Sequence, residues 1–322
     1  MDTRTHILDA LPNPNRHDGS PRRVGIEIEC GGLDEDAVAR IIADTLGGTP
    51  RKTAAYERVV EGTRIGDVEV LLDTALRDTV ESQLAKRSLD LGRAVIPVEF
   101  VTQPIPPKEI ALVDEVCAAL VNEGAYGTRD GVLLGFGVHL NVALPGTQVD
   151  DILPTLTAFA LIEDWLRAKM DLDASRRLLP FVDTYPTELL DRLCDPTAEW
   201  TLAKIKSDYL KLAPSRNHAL DVLPILKELD ARAVVQAVPQ MEHKSARPAW
   251  HYRLPDCRID EDDWSVALEW NRWCAVERVA QDRTLLDRLK AEWRDYRSRI
   301  LPIPGRWAGR SAKILDGAVP LP

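Results

Sequence analysis

The amino-acid sequence predicts an α+β fold built around a largely antiparallel sheet. Segments with apolar residues at every second position alternate irregularly with segments of helical periodicity, without the strict strand–helix–strand order of a parallel sheet. Of the 322 residues, 45% are hydrophobic and 29% are charged, a composition typical of a globular chain with a sizeable core. Because no period of about 20 to 50 residues repeats, we expect one domain over residues 23–300, between a flexible N-terminal arm (1–22) and a C-terminal tail (301–322).

The first predicted elements are a strand and a helix. Val24–Cys30 alternates apolar and acidic residues, which predicts a strand with one buried face and one face that carries carboxylates. The apolar spacing of Leu33–Leu46 predicts an amphipathic helix that Asp34 caps and Gly47 ends. Three more strand candidates are bounded by turn residues: Tyr56–Val60, Val68–Leu72 and Val95–Thr102.

The rest of the chain is predicted to contain more helix than strand. A helix is expected at Lys108–Asn122 and a long strand at Val132–Val142, with glycines where bulges would fall. From residue 151 to about 235 the periodicity is helical and interrupted by prolines, which predicts a helical insertion. A strand is expected again at Trp250–Leu254, followed by a helical run over Asp263–Ile300.

Composition and charge exclude several classes of function. The formal net charge is −10, from 41 Lys and Arg against 51 Asp and Glu, whereas nucleic-acid binding depends on a basic surface. The longest apolar run, Ile152–Ile162, has about half of the ~20 residues that a membrane span needs. Five scattered cysteines without CxxC spacing are not typical of a zinc cage or a disulfide framework. We therefore expect a cytoplasmic protein that binds neither nucleic acid nor membrane.

The candidate functional residues are polar side chains on predicted strands. Glu27 and Glu29 are two apart, so they project from one face about 7 Å apart, a separation from which carboxylates can converge on cations; the alternative is the solvent face of an edge strand. Glu99 lies in an apolar strand, where a carboxylate is costly unless it is paired or binds a metal. His139 and Asn141 repeat the two-apart spacing on another strand. A lone histidine is typical of a core, but several such strands together favour a site.

A second candidate region lies inside the helical insertion. Pro214-Ser215 predicts the start of a helix, with Arg216 and Asn217 in its first turn. Backbone N–H groups and positive side chains at a helix N-terminus favour an anion, such as a carboxylate or a phosphate. A capped structural turn with exposed polar residues is the alternative. Arg247, in the loop before the late strand, can reach a phosphate or be ordinary surface.

Three segments, in order, resemble one known family. They are Gly25-Ile-Glu-Ile-Glu29, Val98-Glu-Phe-Val-Thr-Gln-Pro104 and Gly135-Phe-Gly-Val-His-Leu-Asn-Val142, and together they resemble the putative amidoligase family, a relative of glutamine synthetase and glutamate–cysteine ligase. The resemblance extends over roughly residues 23–280. It implies a curved antiparallel sheet that binds Mg²⁺ through carboxylates and imidazoles on several strands.

The resemblance also implies roles for particular residues. The implied metal ligands are Glu27, Glu29, Glu99, His139 and His251. In the late strand His251 stands where the family pattern has a carboxylate, and imidazole suits Mn²⁺ or Zn²⁺ better than Mg²⁺. Arg253 matches an arginine that faces phosphate, with Glu99 and Asn141 as further catalytic candidates. Arg216 and Asn217 would help to bind the nucleotide, and Asp73 matches a further acidic position.

The implied activity is an ATP-dependent carboxylate–amine ligase that forms an amide through an acyl phosphate. Its cofactors would be ATP and Mg²⁺, with Mn²⁺ as an alternative, and its partners small-molecule or peptide carboxylates and amines. Two other functions stay open at this point. A phosphotransferase on the same fold would resemble guanidino kinases, and a degenerate member would bind a peptide or partner without catalysis, which the replacement by His251 favours.

Overall fold

The computed structural model describes residues 6–72, 97–128, 136–170, 182–298 and 306–320. Eight strands in this part of the chain form a sheet: β1 (Val24–Cys30), β2 (Thr49–Ala54), β3 (Glu57–Thr63), β4 (Gly66–Leu72), β5 (Val98–Thr102), β6 (Val138–Ala143), β7 (Leu220–Asp221) and β8 (Ala249–Tyr252). Their order is β2-β3-β4-β5-β1-β6-β8-β7, and every neighbouring pair is antiparallel. The predicted α+β class with an antiparallel sheet is therefore confirmed.

Ten α-helices accompany the sheet in the described ranges: α1 (Glu35–Leu46), α2 (Ile110–Asn122), α3 (Val149–Met170), α4 (Thr187–Leu193), α5 (Leu202–Leu212), α6 (Leu223–Leu229), α7 (Ala231–Ala237), α8 (Val266–Gln281), α9 (Arg283–Ser298) and α10 (Arg306–Leu315). The predicted cap of α1 is confirmed, since Asp34 Oδ1 accepts the Ala37 N–H at 2.8 Å and Gly47 follows with φ 78°. Among the helices of the described ranges, none combines the length and the apolar character needed to cross a membrane.

β1 is a central strand of the sheet. Ile28 lies opposite Phe100 on β5 and Val138 on β6, so both edges of β1 are hydrogen-bonded. The interpretation of its glutamates as the solvent face of an edge strand is therefore wrong. The apolar face of the sheet packs against helices: Phe159 of α3 and Trp273 of α8 both contact Tyr252, with ring centroids 6.0 and 5.4 Å apart.

The sequence patterns did not predict two features of the fold. All six residues of β2 are exposed, so this edge strand has no buried face and no apolar alternation that could reveal it. The helical run predicted over 263–300 is two helices in the described part, because α8 ends before Asp282. The Asp282 carboxylate then accepts the Leu285 N–H at 3.0 Å and caps α9.

The helix predicted to start at Pro214-Ser215 is wrong. Helix α5 ends at Leu212, and the Ser215 hydroxyl accepts the Asn217 N–H at 3.1 Å, which closes a turn instead of capping a helix. The chain then forms β7, which pairs with β8. Arg216 and Asn217 consequently lie in a turn before an edge strand and not at a helix N-terminus.

Residues near both ends of the chain pack onto the helices. In the segment predicted as a flexible arm, Arg22 forms a buried bidentate ion pair with Glu277 of α8, at 2.6 and 2.8 Å. Trp270 of α8 donates its indole N–H to the Asp9 carbonyl at 2.8 Å. The predicted C-terminal tail contains α10, whose Trp307 donates to the Leu161 carbonyl at 2.8 Å. These contacts place part of the predicted arm against α8 and part of the predicted tail against α3.

Candidate functional site

The face of the sheet opposite the apolar core carries the predicted polar residues in rows. Opposed residues of antiparallel strands point to the same side, with Cβ atoms about 5 Å apart. Glu99 on β5 lies opposite Glu29 on β1, and Glu27 on β1 lies opposite His139 on β6. Strands β5, β1 and β6 therefore present three carboxylates and an imidazole on one surface.

A third row extends toward the other edge of the sheet. Asn141 on β6 lies opposite His251 on β8, which in turn lies opposite Asp221 on β7. All three side chains are buried, and Asp221 is fully buried. Arg253 follows directly after the end of β8, two residues from His251.

Glu27 is the centre of a hydrogen-bond network. Its Oε2 lies 2.9 Å from His139 Nδ1, and its Oε1 accepts the Asn141 side-chain amide at 2.6 Å. Asn141 Oδ1 lies 2.8 Å from His251 Nδ1, so one amide links the carboxylate to the second imidazole. Arg247 reaches the same group, with Nη2 3.6 Å from Glu27 Oε1 and 3.3 Å from His251 Nδ1.

The protonation states of two of these groups are shifted in opposite directions. Burial by itself would raise the pKa of Glu27, but the hydrogen bond with His139 and the nearby positive groups outweigh it and hold that pKa well below its usual range. Burial lowers the pKa of His251 well below its ordinary value. At neutral pH we therefore expect an ionised Glu27 and a neutral His251, the forms in which both side chains can ligate a cation.

Glu29 is held by the backbone of the neighbouring strand. The Gly137 N–H donates to Glu29 Oε2 at 2.7 Å, while the Glu29 N–H donates to the Gly137 carbonyl at 3.1 Å. Both Glu29 and its neighbour Glu99 are half-buried. Glu29 is therefore hydrogen-bonded to Gly137 through both its side chain and its backbone.

Within the described ranges, two groups of three side chains bring their ligand atoms within 4.8 Å of one another: Glu27, His139 and His251, and Glu29, Glu99 and His139. We call them the histidine-rich triad and the carboxylate triad, and they share His139. Imidazole nitrogen and carboxylate oxygen are the donors that Mn²⁺, Zn²⁺ and Mg²⁺ take in proteins, with imidazole favouring the transition metals. The residues present therefore fit divalent cations.

A family model described as putative amidoligase enzyme matches residues 20–275 of this chain. The chain belongs to that family. Neither the search of curated proteins nor the search of solved structures found a match. Every residue of the two triads lies within the range matched to the amidoligase family, as does Arg253. Membership in the family supports an amide-bond-forming ligase.

The basic side of this amidoligase-family site lies beyond β8. The Arg253 N–H donates to the Ala219 carbonyl at 2.8 Å, and its guanidinium donates to the backbone carbonyl of Arg216. The Arg216 Nε lies 3.5 Å from Asp221 Oδ2. Burial raises the pKa of Asp221 to about 6, although the charges of Arg216 and Arg253 act in the opposite direction. Two predicted arginines thus meet around a carboxylate that was not predicted.

The structure brings most of the predicted site residues together. Asn217 is the exception, because its backbone N–H is bonded to Ser215 and, in the described part of the chain, no side-chain hydrogen bond joins it to either triad. Asp73 lies outside the described residues. Sequence reasoning missed Asp221, although a carboxylate in the apolar run Ala219–Leu223 is the same signal that singled out Glu99. Arg247 was expected either to reach a phosphate or to be ordinary surface, and the structure places it beside Glu27 and His251.

Proposed function

We propose that the protein is an ATP-dependent carboxylate–amine ligase that forms an amide through an acyl phosphate. The observation that carries the proposal is the pair of triads that share His139, with Arg253 two residues after His251 of the histidine-rich triad. Family membership supports the ligase class. We also propose that the sheet is the curved catalytic sheet of glutamine synthetase-like enzymes, which its antiparallel strands and single polar face favour.

The two triads suit somewhat different cations. The carboxylate triad has two carboxylates and one imidazole, a donor set compatible with Mg²⁺ or Mn²⁺, whereas the histidine-rich triad has two imidazoles and favours Mn²⁺ or Zn²⁺. When bound, a divalent cation would neutralise charge on the phosphate oxygens of ATP. We therefore propose ATP and Mg²⁺ or Mn²⁺ as cofactors.

The chain's own residues orient these ligands. Because His139 Nδ1 is engaged by Glu27, its Nε2 is the nitrogen that remains for a ligand role, an arrangement in which a carboxylate fixes the imidazole ring. Asn141 bonds both Glu27 and His251, so it aligns the two side chains in addition to any contact with substrate. Such ordering before the substrate arrives lowers the cost of organising the reaction.

Two displacements would follow on this surface. A carboxylate oxygen of the acid attacks the γ-phosphorus of ATP and ADP leaves, while Arg253 and Arg216 stabilise charge on the transferred group. The amine nitrogen then attacks the acyl carbon, loses a proton and expels phosphate. Glu99, half-buried beside Glu29, is the carboxylate we place nearest to this second step. The protein contributes mainly alignment of the reactants.

ADP release tests this proposal. The purified protein is incubated with ATP, Mg²⁺ or Mn²⁺ and a panel of amino acids and short peptides that supplies acids and amines separately and together. We expect ADP only when both are present, accompanied by an amide product, and at least a hundredfold less with His139→Ala. His243→Ala, an exposed histidine in the loop before β8, is the matched control.

The products distinguish the other functions. A phosphorylated acceptor without an amide would replace the ligase with a phosphotransferase. Protein that neither binds ATP nor releases ADP across the panel would favour a degenerate member that binds a partner. ADP release that His139→Ala leaves unchanged would contradict the assignment of the site.

A further inference from the structure

Asp221 is the one fully buried carboxylate on the polar face of the sheet among the described residues. It lies on the two-residue strand β7, opposite His251 of the histidine-rich triad. An ionised carboxylate without solvent is costly unless a partner requires it.

The two oxygens of Asp221 have different partners. Oδ1 accepts the Leu223 N–H at 2.9 Å, a contact that starts the turn into α6 and that an asparagine oxygen would make equally well. Oδ2 accepts no hydrogen bond from the described residues and lies 3.5 Å from Arg216 Nε. The turn therefore needs an oxygen but not a charge, and the charge faces Arg216.

Arg216 has the complementary property. Its side chain is 30% exposed, and in the described part of the chain neither of its terminal nitrogens makes a hydrogen bond. Its backbone carbonyl accepts a hydrogen bond from the Arg253 guanidinium. Asp221 thus holds the Nε end of the Arg216 side chain, and the Arg216 backbone contacts Arg253. The cluster of one carboxylate and two guanidinium groups has a net positive charge.

We propose that Asp221 is a positioning residue that holds Arg216 beside Arg253 as a two-arginine receptor for the phosphate groups of ATP. The proposal rests on the proposed function and adds a residue and a subsite to it. A planar guanidinium fixed at its Nε presents both terminal nitrogens in one direction, which matches two phosphate oxygens. Without Asp221, Arg216 would lose this orientation while it kept its charge.

The test is ATP binding, measured by calorimetry in the presence of Mn²⁺, together with Mn²⁺ binding alone. We expect D221N to weaken ATP binding about tenfold and to leave Mn²⁺ affinity unchanged, because the triads are intact. The matched control is D114N, which removes another buried charge: Asp114 accepts the Val266 N–H at 2.7 Å and caps α8 away from the triads. We expect D114N to bind ATP as the unchanged protein does.

A double-mutant cycle separates positioning from stability. R216A should weaken ATP binding about tenfold, and D221N should then add little, because it acts through Arg216. Loss that is the same size in the R216A background, or ATP binding that D221N leaves unchanged, would overturn the proposal. If D221N does not fold, R216A decides, since unchanged ATP affinity in that variant would also overturn the proposal. No ATP binding by the unchanged protein would instead refute the proposed function.

Discussion

The polar face of the sheet has two halves that are built differently. The carboxylate half, Glu27, Glu29, Glu99 and His139, comes from the interiors of β1, β5 and β6, where the ladder register sets the position of each side chain. The arginine half, Arg216, Asp221 and Arg253, comes from a turn, a two-residue strand and the residue after β8. The first half depends on the backbone and the second on individual side-chain contacts. We therefore expect substitutions in the two halves to have separable effects.

The largest difference between the effect on activity and the effect on metal binding is expected for Arg253→Ala. Because Arg253 belongs to the arginine half, its loss should lower ADP release by about a hundredfold, the typical effect of removing one group that stabilises transition-state charge. Mn²⁺ binding should stay unchanged, since no triad ligand is altered. Equal loss of Mn²⁺ binding and of ADP release would show that the two halves are not independent.

A smaller effect is expected at the boundary between the halves. His251 belongs to the histidine-rich triad, yet it lies opposite Asp221. His251→Glu should shift the preference of the protein from Mn²⁺ toward Mg²⁺ by about tenfold, because carboxylate oxygen suits the harder cation. The measurement is the ratio of the two dissociation constants, and a ratio equal to that of the unchanged protein would remove His251 from the ligand set.

The smallest effect on activity, and the clearest on stability, is expected for Asp114→Asn. Burial raises the pKa of Asp114 to about 6, as it does for Asp221, but both Asp114 oxygens accept backbone N–H groups of α8. Since the folded pKa exceeds the usual 3.8, the folded state holds this proton more tightly. The contribution of Asp114 to the free energy of unfolding is therefore largest below about pH 4 and declines as pH rises through 6.

Asparagine does not titrate, so the free energy of unfolding of Asp114→Asn, relative to that of the unchanged protein, should improve by up to about 3 kcal/mol between pH 4 and pH 7. Urea unfolding at the two pH values measures the difference. A difference that does not depend on pH would show that the buried charge of Asp114 costs nothing in the folded state. Comparison with D221N then separates a structural aspartate from one that positions a ligand group.

The sequence predicted the carboxylate half better than the arginine half, for a physical reason. Period-two alternation determines which side chains share a face, so the same-face pairing of Glu27 with Glu29 could be predicted from the chain alone. Strand order was not contained in that alternation, and only the placement of β1 between β5 and β6 brings Glu99 and His139 to Glu29. β7 is too short to show a period, so Asp221 was assigned to the helical segment predicted from residue 151 to about 235.

The two triads that share His139 are proposed to bind divalent cations. Titration of the protein with Mn²⁺, followed by the electron paramagnetic resonance signal of free Mn²⁺, tests it most directly. We expect saturable binding of at least one Mn²⁺ per chain, at least a hundredfold weaker in His139→Ala and unchanged in His243→Ala. Absence of saturable binding, or equal affinity in His139→Ala and the unchanged protein, would contradict it.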